Sequence, residues 1–311
     1  MRCDLHVHTV HSGAADLLVL NHVSRECYSQ PGEVYDAAKR RGMDLVTITD
    51  HDTIAGALEL AGRDDFFVGE EVSCELEGGR VLHLGVWDIS EPQHAAIAAR
   101  RREPERLFAY LAEQRIPAAV NHMFSPLTGP RRAEDFHLAL GAVGLVEAQN
   151  GMMPPASNEF ARLAGRAAGL APIGGSDAHT VARVAHAFTT VPRARDRREF
   201  LDGLRAGFTV PAGGAGSYAR LTADVLRVFA GAYRENASKA LRSLPDLARF
   251  AAIAPALPIL ALIPLATAIA YLKEGWLARR FFSQYRATLP SVGTDPTPRL
   301  MGPKLALGGE P

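Results

Sequence analysis

Between Asp4 and His179, histidines and carboxylates recur at the ends of short apolar runs, and this alternation leaves few folds open. The pattern starts with Asp4-Leu5-His6-Val7-His8. Asp50-His51-Asp52 closes the run 45–49, Glu70-Glu71 follows 66–69, His83 lies inside 81–86, His122 follows 118–121, and Asp177-Ala178-His179 follows 173–176. Runs of this kind read as buried strands, and strands whose C-terminal ends carry ligands bring them to one mouth. Neutral imidazole together with carboxylate suits borderline-hard divalent ions: Zn, Mn or Fe.

Strands are expected at 2–8, 45–50, 66–73, 81–87, 118–121, 145–148 and 171–174, with helices at 33–41, 93–114, 133–140, 158–168 and 197–206. Pro31 and Gly42 bracket the first helix, and Glu77-Gly78-Gly79-Arg80 reads as a tight turn between the third and fourth strands. Such alternation predicts an α/β fold, and seven ligand-tipped strands predict a distorted (β/α) barrel. With 34 basic and 34 acidic side chains the net charge is zero, which gives no global attraction to nucleic acid or anionic lipid. Three cysteines without CxxC spacing, and no charged-then-apolar leader, predict a reduced, cytoplasmic protein.

Two apart in a strand, His6 and His8 share a face. Of the 50–52 triplet, His51 reads as a ligand, Asp50 as the group that orients a ligand histidine, and Asp52 as a helix cap. Neighbouring strand residues face opposite ways, so of Glu70 and Glu71 only one points at the site; Glu71 is read as a carboxylate bridging two ions. His83, in an apolar strand, needs a buried partner, and metal is one. His122, Asp177 and His179 complete the candidate ligands, with Asp177, His179 and Glu71 the catalytic candidates. Arg131, Arg132 and Asn150 are the candidate substrate contacts, because the two arginines follow a Pro/Gly loop just after His122.

The strings DLHVHT at 4–9, TDHD at 49–52, GEEVS at 69–73, His83, NH at 121–122 and GSDAH at 175–179, in this order, resemble the PHP (polymerase and histidinol phosphatase) superfamily. The resemblance covers 1 to about 213. It implies a distorted seven-stranded β/α barrel, a trinuclear metal centre and phosphoester hydrolysis. It also implies a ligand set: His6, His8, Glu71 and Asp177 on one ion, Glu71, His83 and His122 on a second, His51 and His179 on a third. The chain departs from the family at 10–13, where Val10-His11-Ser12-Gly13 stands in place of a Ser-Asp-Gly whose aspartate serves the third ion. His11 or Asp16 would substitute, or the insertion through His22, Arg25, Glu26 and Cys27 reshapes this edge; two to three divalent ions are therefore expected.

Composition changes after Gly216. The expected organisation is a metallohydrolase domain at 1–215, a helical extension at 216–287 and a disordered tail at 288–311. Residues 250–272 carry no charge and, as a helix, would reach roughly 35 Å, long enough to cross a bilayer. Three prolines interrupt the run and basic residues flank both sides, so the expectation is a catalytic domain held at the cytoplasmic face of a membrane. The function expected is hydrolysis of a phosphomonoester, or of a nucleotide or oligonucleotide phosphodiester, by metal-activated hydroxide, with no protein partner evident. One alternative is an amidohydrolase-like enzyme, disfavoured because no lysine occurs between Lys39 and Lys239. The other is a membrane-tethered regulatory protein with a degenerate centre.

Overall fold

The computed structural model describes residues 1–13, 24–126, 129–240, 242 and 260–289. Asp16, His22, positions 250–259 of the uncharged run and the tail from 290 lie outside them.

A five-stranded sheet carries most of the site. Its order is β2 (Gly69–Leu76), β3 (Arg80–Trp87), β4 (Ala118–Val120), β5 (Leu145–Asn150), β6 (Ala171–Gly175). The hairpin β2–β3 and the pair β3–β4 are antiparallel; β4, β5 and β6 run parallel. A second sheet joins β1 (Arg2–Cys3) to β7 (Ala187–Thr190) and β8 (Val210–Gly213), all antiparallel. The regular strands thus form sheets of five and three, where seven strands of one barrel were expected.

The difference lies in segments 4–8 and 45–51, which run between the end of β6 and the start of β2. They are held by single bridges, Val7 to Ala178, Val46 to Phe66 and His51 to Glu71, and by backbone bonds such as Thr49 N–H to Val7 O at 2.8 Å and Asp177 N–H to His6 O at 2.7 Å. Side chains take the place of ladder partners here. Asp4 Oδ1 accepts from the backbone of His6 and Ser176, Thr49 Oγ1 from Val7, and Asp50 Oδ1 from Thr9. Short polar side chains offer the backbone this alternative to a regular ladder.

Around the sheet lie α1 (Pro31–Arg40), α2 (Ala55–Leu58), α3 (Glu91–Ala98), α4 (Pro104–Glu113), α5 (Ala133–Ala142), α6 (Pro155–Ala168), α7 (Arg197–Arg205), α8 (Tyr218–Ala240) and α9 (Ile263–Thr288). The single helix expected over 93–114 is two, because Pro104 starts α4 and the Arg101 carbonyl accepts from Glu75 N–H of β2. Trp87, fully buried, donates its indole N–H to the Leu5 carbonyl at 3.0 Å and so ties β3 to the first ligand segment. The residues of α9 that face the protein, Ile263, Thr267, Glu274, Ala278, Phe281 and Tyr285, recur at spacings of three, four and seven. Ala278, Phe281 and Tyr285 join the main core beside Phe124 and Phe136.

Candidate metal centre

The eight candidate ligands enter from six separate segments. His6 and His8 come from the N-terminal segment, His51 from 45–51, Glu71 from β2, His83 from β3, His122 from just after β4, and Asp177 and His179 from the turn after β6. Gly175 makes this convergence possible: a Cβ there would stand 2.3 Å from the His6 Cβ and 2.8 Å from its backbone nitrogen. His122 (φ 24°) and Asp177 (φ 53°) occupy left-handed backbone, a conformation that persists where surrounding structure over-determines it.

Glu71 is the hinge of the arrangement. Its Oε2 lies 3.1 Å from His6 Nε2, 3.3 Å from His8 Nε2 and 3.2 Å from His51 Nδ1. Its Oε1 lies 3.1 Å from His122 Nε2 and 3.4 Å from His83 Nδ1, and accepts from Asn121 Nδ2 at 2.9 Å. Asp177 Oδ1 stands 3.6 Å from His6 Nε2, 3.4 Å from His8 Nε2 and 3.6 Å from His179 Nδ1. Among the described residues, four triples have donor atoms within 4.8 Å of one another: His8/His51/His179, His6/His8/Asp177, His6/Glu71/His122 and His51/Glu71/His83. His51 thus belongs both to the triple with His8 and His179 and to the triple with Glu71 and His83.

Three atoms here, Glu71 Oε2, His83 Nδ1 and His122 Nδ1, are buried with no hydrogen-bond partner. The imidazoles around Glu71 Oε2 are close to it but not aligned to donate. Unsatisfied buried polar atoms are costly, and nitrogens crowding a carboxylate oxygen without donating to it fit cations shared between them. The charge balance agrees. Burial opposes ionisation of Glu71, yet the imidazoles of His6, His83 and His51 and the His122 hydrogen bond outweigh it and hold the carboxyl well below the usual range. Burial lowers His51 and His179, but Glu71 and Glu26 beside the first, and Glu26 and Asp177 beside the second, push both up to about 9. A site this rich in carboxylate draws positive charge, which metal supplies while leaving the imidazoles neutral.

A carboxylate that the motifs do not mark completes one side. Glu26 Oε1 is 3.0 Å from His179 Nε2, and its Oε2 is 3.4 Å from His51 Nε2. It comes from the insertion that follows Val10–Gly13. His11, an alternative for the third ion, instead pairs with Glu59 at 2.9 Å. The insertion signalled a reshaped edge, but nothing in its composition singled out Glu26.

Behind the ligands, Glu147 Oε1 takes His6 Nδ1 at 2.7 Å and its Oε2 accepts from His122 N–H at 2.8 Å. Ser12 Oγ meets His8 Nδ1 at 2.9 Å and donates to Asp50 Oδ1 at 2.7 Å, so Asp50 orients His8 through a hydroxyl. These bonds to Nδ1 leave Nε2 of both histidines turned to the centre. Asn150, expected at the substrate, is fully buried and donates to Glu147 Oε2 at 2.9 Å and Asp177 Oδ2 at 3.1 Å. Arg131 is buried and donates to the Val81 carbonyl, while Arg132 is exposed at the start of α5. Glu70 points away and pairs with His94 at 2.7 Å. Asp52, expected as a helix cap, accepts from Ser73 N–H at 2.8 Å and pairs with Arg101. A cavity of about 740 Å³ opens over the ligands, with Ser73, Glu75 and Arg101 on its outer wall.

The chain matches the family model for the PHP-associated region over residues 155–209. It is 27% identical over 149 residues to an uncharacterised protein of Methanocaldococcus jannaschii, covering 48% of this chain and 82% of that one. Its fold is similar to that of PsfC from Pseudomonas syringae, at a TM-score of 0.53 and 19% identity, covering 74% of this chain and 98% of the other. A lesion-specific endonuclease from Pyrococcus furiosus matches at a TM-score of 0.45 and 15% identity, over 68% of this chain and 58% of its own. The PHP-associated match over 155–209 overlaps the last of the ordered motifs, 175–179, by which the chain resembles the PHP superfamily.

Proposed function

We propose that the protein is a metal-dependent phosphoesterase acting on a phosphomonoester or on a nucleotide or short oligonucleotide phosphodiester. The observation that carries this reading is Glu71, whose two oxygens each face a separate group of imidazoles, with Oε2 buried and accepting from none of them. His6, His8, Asp177 and Glu71 Oε2 would hold one divalent ion, and Glu71 Oε1, His83 and His122 a second. His51 and His179, with Glu26 as the third donor, would hold another. Bound ions of this class polarise phosphoryl oxygens and lower the pKa of a water to near neutrality.

The chain's own residues do the rest. Glu147, Asn150, Ser12 and Asp50 fix the tautomers and directions of His6, His8 and Asp177, so that donors are in place before substrate arrives. Asp177 and His179 both line the cavity and would move a proton at their carboxylate oxygen and ring nitrogen. Arg101, on the cavity wall, is placed to meet a phosphoryl oxygen. The absence of lysine between Lys39 and Lys239 favours this chemistry over an amidohydrolase that uses a lysine ligand. The test is a phosphate-release screen over mononucleotides, sugar phosphates and short oligonucleotides with Mn- or Zn-loaded protein, paired with elemental analysis. Turnover with at least two ions per chain is expected. Fewer than one ion after reconstitution refutes the proposal.

We further propose that this end of the chain meets the cytoplasmic face of a membrane. Residues Leu260–Thr288 form a helix long and apolar enough to span one by length and composition, with an 18-residue window of mean hydropathy 1.3. While one face of α9 docks on the protein, Leu262, Leu265, Ile269, Leu272 and Trp276 form an exposed stripe on the other. That stripe supports contact with a bilayer surface while the docked face keeps its core partners. Fractionation decides it: full-length protein should pellet with membranes, and full-length protein that stays soluble and monodisperse without detergent refutes the contact.

A further inference from the structure

A second cavity, of about 520 Å³, lies between the loop after β4 and the docked side of α9. Its size is ordinary for a small-molecule site. Three cations border it: Arg131 from the loop, and Lys273 and Arg280 from the helix. Glu274 closes its inner side. Glu274 is 8% exposed, accepts from Ser125 Oγ at 3.3 Å through Oε2, and leaves Oε1 buried without a hydrogen-bond partner. A carboxyl in such a position lacks a donor that something else must bring.

The cavity adjoins the metal centre. Gly129 lies on the walls of both cavities, and Ser125 follows the ligand His122 by three residues. A molecule with its scissile phosphate at the ligands would therefore extend past Gly129 toward α9. Cations of this kind, in a partly closed space, bind anionic oxygens through charge-assisted bonds.

We propose that this cavity is a second substrate subsite, taking an additional anionic group of the phosphoester between Arg131, Lys273 and Arg280 while a hydroxyl beside that group donates to Glu274. The inference rests on the phosphoesterase reading and narrows it to polyhydroxylated substrates with two anionic groups. It also gives α9 a part in selectivity.

The test compares a hexose 1,6-bisphosphate with the matching hexose 6-phosphate on the metal-loaded full chain and on a Lys273→Ala/Arg280→Ala double variant. Both replaced side chains are exposed, so the fold is expected to persist. The wild type should favour the bisphosphate in kcat/KM by at least about tenfold. The double variant should lose that preference through a rise in KM for the bisphosphate. Glu274→Ala should raise KM for both sugars relative to a phosphoester without hydroxyls. An unchanged preference in the double variant, or no preference in the wild type, overturns the subsite. If neither sugar is hydrolysed, equilibrium titration of the same two compounds into the metal-loaded chain separates the questions. Tighter bisphosphate binding that the double variant abolishes keeps the subsite although the phosphoesterase reading fails, and equal binding overturns the subsite on its own.

Discussion

Replacing Glu274 by glutamine should stabilise the protein, and only above mildly acidic pH. Burial raises the Glu274 carboxyl from 4.5 to about 7, against the opposing Ser125 hydrogen bond. A carboxyl whose folded pKa is raised stays protonated in the folded chain while the unfolded chain has already ionised. Its contribution to stability is therefore intact below about 4.5, declines as pH rises toward 7, and is constant beyond. The difference of 2.5 units between those values, at about 1.4 kcal/mol per unit, gives roughly 3 kcal/mol. Glutamine keeps the shape and hydrogen-bonding capacity of the neutral acid but cannot ionise. Urea unfolding of wild type and Glu274→Gln, measured from pH 4.5 to 8.5, should give equal stabilities at the acid end. By pH 8 the variant should be ahead by up to about 3 kcal/mol. All other groups titrate alike in the two proteins and cancel. A difference that does not change with pH, or a variant less stable at pH 8, would show that Glu274 is ionised and paired in the folded chain, and the reasoning fails.

Glu26→Ala should lower bound metal by about one equivalent without unfolding the chain, because the ligands around Glu71 remain; unchanged metal content by elemental analysis would remove Glu26 from the ligand set. Glu71→Gln should cut turnover by on the order of a thousandfold or more, since losing several kcal/mol of charge stabilisation costs about tenfold per 1.4 kcal/mol. Glu70→Gln, which alters only the pair with His94, should change turnover far less; equal losses would refute the assignment. Gly175→Ala drives a methyl into His6 and should cost about 1–3 kcal/mol together with metal affinity, read by thermal denaturation and metal titration; a variant with wild-type melting and metal content would show that the close approach is not required.

The candidate ligands stand out in the sequence because they lie in or at the ends of apolar runs, and the structure brings all eight, from His6 to His179, to one cavity wall or directly behind it. Periodicity also located most helices to within a few residues, and Glu77–Gly79 does turn between β2 and β3. What escaped had no periodic signature. Strands β7 and β8 are four residues each, too short for alternation to stand out. Segments 4–8 and 45–51 are apolar enough to read as strands, but Asp4, Thr49 and Asp50 take over their backbone bonding. The sequence could not decide between the two roles of Asn150 for a related reason: a polar residue at a strand end looks the same in sequence whether it faces substrate or braces two carboxylates from behind.

Glu26 and Glu274 show the deeper limit. Each is one acid in a stretch whose local pattern says nothing of metal or substrate: Glu26 lies in an insertion, and Glu274 sits in a helix 95 positions beyond the last candidate ligand. Their meaning is set by what they meet. Glu26 meets His51 and His179, two ligands from segments 126 residues or more apart that the sheet brings together. Glu274 meets Ser125 beside His122 only because α9 buries Ala278, Phe281 and Tyr285 in the aromatic core around Phe124 and Phe136. That docking is driven by apolar burial, and it carries a carboxyl into the protein that burial alone disfavours. A helix that served only to anchor the chain would have no reason to bury that carboxyl there, whereas one that completes a binding wall does.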